Sequence, residues 1–87
     1  LSGEINTRVA DTSKSISKVR SHFSSSPSIE FDELDGLTVI NTEVGEEWRF
    51  NLRPSNTEPL LRLNAEARDA GRMKAITSQV LELLKSQ

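Results

Sequence analysis

The sequence predicts an α+β domain, an antiparallel sheet of four to five strands with two helices packed on one face. Three observations carry that expectation. Two runs with strand-like alternation, Trp48 to Arg53 and Leu61 to Glu66, flank a short polar loop. Two stretches carry apolar residues at helical spacing, one holding Ile16, Val19 and Phe23, the other Met73, Ile76, Val80, Leu83 and Leu84. Between them, Asp35-Gly36 and Gly45 mark turns separating short alternating runs.

Taken in order, Ile5, Thr7 and Val9 alternate with Asn6 and Arg8, as in a half-buried first strand. Asp11 or Thr12 then caps a helix from Ser13 to Phe23, with Lys14, Lys18 and Arg20 left for solvent. Its serines weaken helix propensity, so this helix depends on packing against the sheet. Ser24-Ser25-Ser26-Pro27-Ser28 reads as a surface connection. Ile29 and Phe31 alternate with Glu30 and Asp32, and Asp35-Gly36 turns the chain into Leu37-Thr38-Val39-Ile40 as a hairpin. Gly45 returns it into the Trp48 run. Asp69 caps the last helix. The periodicities select one core: Ile5, Ile16, Val19, Leu37, Val39, Phe50, Leu52, Leu63, Ile76, Val80 and Leu83.

With 87 residues and a formal charge of -2, the chain fits one small domain without the basic excess of a nucleic-acid binder. It has no cysteine, which excludes disulfides and thiolate metal sites. No apolar run approaches the roughly 20 residues of a membrane span. Neither nucleic acid nor membrane is therefore expected as a partner. The N-terminus shows no basic-then-hydrophobic signal pattern, and a start at Leu1 in place of Met leads us to expect a piece of a longer protein.

The chemistry lies in the loop between Pro54 and Pro59. Each proline holds the residue before it, Arg53 or Glu58, toward extended backbone. Between them stand the hydroxyls of Ser55 and Thr57 and the amide of Asn56, a residue type that tolerates left-handed backbone. A guanidinium bonds phosphate bidentately, and hydroxyls and loop amides supply further donors. Those residues suit an oxyanion, above all phosphate. On composition alone the plainer reading, a hairpin turn with a solvated arginine, has the advantage, because Pro, Ser, Asn and Thr also make ordinary turns.

The string Arg53-Pro54-Ser55-Asn56-Thr57-Glu58-Pro59, followed by Leu-Leu-Arg-Leu-Asn-Ala-Glu-Ala, resembles the phosphate-binding loop and next strand of the α-D-phosphohexomutases, the phosphomannomutase and phosphoglucomutase enzymes. Gly3-Glu4-Ile5-Asn6 resembles the first strand of their C-terminal domain, and Leu34-Asp35-Gly36-Leu37 its central turn. The resemblance implies a TATA-binding-protein-like fold for residues 1–87, as the fourth, phosphate-binding domain of a larger cytoplasmic mutase. It implies that Arg53, Ser55, Asn56 and Thr57 hold the phosphate of a hexose phosphate that is not being transferred. Glu58, which a bound phosphate would repel, is expected to orient a neighbouring cation such as Arg53. The family's phosphoserine, magnesium and sugar-recognition loops are absent from the sequence. Mg2+ and a hexose 1,6-bisphosphate are thus implied for the full-length enzyme, with no cofactor in this fragment, and the other domains are its partners. Asn56 stands where phosphoglucosamine mutases commonly have glycine, which favours the phosphomannomutase/phosphoglucomutase type.

Two other functions use the same sequence: an independent phosphate or sugar-phosphate module, and a structural or interaction domain with an open sheet face. Other residues read as structural. His22 lacks metal-ligand spacing and suits a helix end. Trp48 alternates with Phe50 and Leu52 and suits the core, although it could stack on a sugar. Glu30 to Glu33 suit a solvated strand face, and Ser55 and Thr57 lack a neighbouring base for nucleophilic catalysis.

Overall fold

The computed structural model describes residues 3–85 of the chain. The elements are β1 (Ile5–Arg8), α1 (Thr12–Phe23), β2 (Ile29–Asp32), β3 (Leu37–Asn41), β4 (Trp48–Pro54), β5 (Leu60–Ala67) and α2 (Ala70–Lys85). The strands form one five-stranded sheet in the order β1-β5-β4-β3-β2, antiparallel throughout. The expected α+β arrangement is therefore present, with both helices against one face.

Strand alternation decides which face that is. Leu37, Val39, Phe50, Leu52, Leu61, Leu63 and Ala65 are buried beneath the helices, which add Val19 and Phe23 from α1 and Ile76, Val80 and Leu84 from α2. Phe23 joins the layers, with its ring 5.4 Å from Trp48 and 5.5 Å from Phe50. Trp48 is half-buried at the edge of this cluster, so its position is a packing one. Three core expectations shift. Ile5 and Ile16 are only partly buried, and Leu84 takes the place expected of Leu83. Ser15 is fully buried, its hydroxyl donating to the Asp11 carbonyl at 2.9 Å, which lets a polar residue face the core.

Asp11 caps α1 by accepting from the Lys14 N–H at 3.0 Å. Asp69 does the same for α2 through the Arg72 N–H at 2.8 Å. The Arg72 guanidinium lies 2.6 Å from both Glu46 and Asp69, tying the β3–β4 loop to the start of α2. The Arg72 side-chain hydrogen bond pulls the Glu46 carboxyl below its ordinary pKa. For Asp69 the Arg72 backbone N–H is the larger cause and its guanidinium the second. His22 is exposed in the last turn of α1, 3.0 Å from the Gln79 amide nitrogen. No helix among the described residues is long and apolar enough to cross a membrane.

Candidate phosphate site at the β4–β5 loop

Because Leu52 and Leu63 are paired and point to the helices, their neighbours Arg53 and Arg62 are paired on the open face of the sheet. Their side chains are both 42% exposed. Directly opposed residues on adjacent strands have Cβ atoms about 4.5 to 5.5 Å apart, so register sets these two arginines side by side. Like charges so placed destabilise a sheet, and each arginine meets a carboxylate on its outer flank. Arg53 Nη1 lies 3.6 Å from Asp35 in the β2–β3 turn. Arg62 Nη1 lies 3.6 Å from Glu4, just before β1.

The loop is closed by the Ser55 N–H donating to the Leu60 carbonyl at 3.0 Å, and by the Leu60 N–H donating to the Glu58 carbonyl at 2.8 Å. The Thr57 N–H reaches the Ser55 hydroxyl at 3.3 Å, a long bond. Among the described residues, the N–H groups of Asn56 and Glu58 make no hydrogen bond. Asn56 and Thr57 are exposed and Ser55 half-buried. The donors open to a ligand are therefore the two free N–H groups, the hydroxyls and the arginine forks. The Ser55 N–H is committed to the loop itself. No residue other than glycine has positive φ among the described residues, so Asn56 does not use the left-handed conformation for which the sequence made it suitable. Two prolines and two closing hydrogen bonds shape the loop without it.

Glu58 departs from its expected partner. It pairs with Arg8 at 3.0 Å, and the Val9 N–H donates to the Pro59 carbonyl at 2.9 Å. The reason is register: β1 runs beside β5 with Arg8 opposite Leu60, which brings the end of β1 against the loop. Glu58 thus anchors the loop to the edge strand, and Asp35 is the carboxylate beside Arg53. Sequence reasoning also missed Arg62, although a signal was present. Once Ser55 and Leu60 are taken as the closing pair, counting two residues outward on each strand pairs Arg53 with Arg62.

A broad depression lies elsewhere, at the far end of the sheet between Ile40, Trp48, Arg49 and Ala67. Its arginines, Arg49 and Arg68, share it with the carboxylates Glu66 and Glu47, and none of Arg53, Ser55, Asn56 and Thr57 lines it. The loop and the depression are therefore separate features of the surface.

A family profile described as phosphoglucomutase/phosphomannomutase, C-terminal domain, matches residues 4–83. A phosphomannomutase of Salmonella montevideo is 45% identical over 86 residues, 98% of this chain and 18% of the relative. A protein named "Phosphohexose mutases" from Xanthomonas campestris pv. campestris is 46% identical over 85 residues, 97% of this chain and 18% of the relative. A phosphomannomutase of Methanocaldococcus jannaschii is 43% identical over 83 residues, 95% of this chain and 17% of the relative. The chain thus spans less than a fifth of the length of these relatives. A profile match over nearly the whole chain, joined to such identities, means that the chain belongs to the phosphoglucomutase/phosphomannomutase C-terminal domain family.

Proposed function

We propose that this chain is the substrate phosphate-binding domain of a larger phosphohexomutase, which interconverts hexose 1-phosphate and hexose 6-phosphate. Arg53, Ser55, Asn56 and Thr57 hold the phosphate that is not being transferred, and Arg62 joins them. The observation that carries this reading is the Arg53–Arg62 pair, two like charges set opposite each other beside a loop with free N–H groups. A phosphate monoester dianion can accept from both forks at once, which the single flanking carboxylate beside each arginine does not do.

The domain's contribution is binding and orientation. Guanidinium forks fix the phosphate's position and rotation, and the hydroxyls and loop N–H groups take its remaining oxygens. Gripping one end of the sugar phosphate turns the encounter of its other end with a phosphoserine into a positioned transfer. No acid, base or nucleophile is required from these residues. Mg2+ and the activating hexose 1,6-bisphosphate are assigned to the remaining domains, which are the chain's partners. The isolated chain is expected to bind phosphate without turning over any hexose phosphate.

A titration of the isotope-labelled chain with inorganic phosphate at constant ionic strength tests the site. Saturable NMR shifts are expected at the Asn56, Thr57 and Glu58 amides and at the Arg53 and Arg62 side chains, with Kd around millimolar because the sugar contacts lie on other domains. Shifts spread evenly over all lysines and arginines would indicate charge screening and overturn the assignment.

A further inference from the structure

Across one end of the open sheet face, four charges stand in a row from β1 to β3: Glu4, Arg62, Arg53, Asp35. The two positive charges are central and the two negative charges lie outside them. We infer that Asp35 and Glu4 are placeholder anions, which neutralise the arginine pair while the site is empty and oppose the phosphate when it arrives. This inference rests on the phosphate-binding reading of the loop and deepens it by naming the residues that limit its grip.

The geometry favours opposition over support. A carboxylate that positions an arginine for a ligand is held by further bonds and meets the fork at two points. Here each pair has a single nitrogen at 3.6 Å, at the long end for an ion pair. The Asp35 side chain is 78% exposed, and it is its backbone carbonyl that anchors the turn, by accepting from Asn51 Nδ2 at 2.8 Å. Removing the Asp35 carboxylate therefore leaves the turn tied to β4. The two carboxylates have work in the empty state, where they offset repulsion between facing arginines. A bound dianion takes over that role, after which two further negative charges beside it only repel. An arginine engaged by its own carboxylate is also a less available binding partner, and apparent affinity falls with that availability.

The test compares Asp35→Asn and Glu4→Gln with the unaltered chain in the phosphate titration, and records urea unfolding in phosphate-free buffer. Each substitution should lower Kd about two- to fivefold, while the urea midpoint stays level or falls. A purely structural role would lower stability and affinity together. Glu66→Gln is the charge control, since Glu66 lies on the same face opposite Arg49, four residues along β5 from Arg62. Unchanged or weaker binding in either variant overturns the assignment of that carboxylate, and equal tightening in Glu66→Gln overturns it for both. In those cases the loop shifts of the unaltered chain persist and the binding site stands. Absence of saturable shifts in every protein would overturn the site and the placeholders alike, whereas shifts confined to the two variants would show carboxylates strong enough to close it.

Discussion

Gly36 and Arg53 are packed so closely that a Cβ added to the glycine would lie 2.6 Å from the Cβ of the arginine. The same added carbon would stand 2.6 Å from the Leu52 carbonyl oxygen, and Gly36 has φ +68. Glycine alone meets both conditions without strain. Gly36→Ala should cost about 1 to 3 kcal/mol from backbone strain, with more from the clash, and should shift β4 at Arg53. Urea unfolding gives the first quantity. A change at the Arg53 amide larger than at the distant Arg68 amide, together with weaker phosphate binding, gives the second.

Leu63 is fully buried on β5 and paired with Ile5 on one side and Leu52 on the other. Leu63→Ala should cost about 2 to 5 kcal/mol, against a total of roughly 5 to 15 kcal/mol for a domain. Denaturant unfolding measures the loss. A loss near zero would mean that β1, β5 and β4 do not close over this position.

Arg53→Lys and Arg62→Lys keep the charge and remove the planar fork. Each should weaken phosphate binding roughly fivefold, about 1 kcal/mol, because one charge-assisted hydrogen bond is lost from a bidentate contact. Isothermal or NMR titration reads the change. A silent Arg62→Lys would remove Arg62 from the site and leave Arg53 as its single fork.

Acid should loosen the β3–β4 loop from α2. The Glu46 and Asp69 carboxyls are held below their ordinary values of 4.5 and 3.8 in the folded chain. A depressed folded pKa contributes stability above the unfolded value, and that contribution is lost as pH falls through the folded value. Thermal midpoints should therefore decline below about pH 4.5, and more steeply below about pH 3.8, where Asp69 of the unfolded chain also begins to bind a proton. Arg72→Met should flatten the Glu46 part of the decline. Much of the Asp69 part should survive, since the backbone N–H of residue 72 remains to bond it.

Much of this fold was legible because periodicity and turn chemistry agreed. The alternation of Trp48, Phe50 and Leu52 against Arg49, Asn51 and Arg53 gave the faces of β4, and the hydrogen-bonding side chains of Asp11 and Asp69 gave both helix starts. Leu83 and Leu84 were harder to separate because adjacent leucines both fall near the edge of the α2 stripe. Three turns after Met73, a small rotation decides which of them points inward. Ser15 lacked an apolar signal, and its hydroxyl's bond to the Asp11 carbonyl accommodates its burial. In the candidate site, the residues adjacent in sequence were singled out by their donor chemistry together with a family resemblance, whereas Arg8, Asp35 and Arg62 arrive from other strands and turns. Their positions depend on register, which no local window reports.

Placing β1 beside β5 has a temporal consequence for a chain made from its N-terminus. Ile5 pairs with Leu63, so the first strand emerges from the ribosome well before the strand it needs, and closing so long a loop of sequence slows folding. The β3–β4 hairpin can form earlier, since its strands are near neighbours in sequence. What waits for β5 is the edge that carries Glu4 and Arg8, together with the Val9–Pro59 tie across the loop. The candidate site is therefore among the last parts to be assembled in a newborn chain, and a nascent domain stalled before Leu60 would hold Arg53 with neither its twin nor its tethered loop.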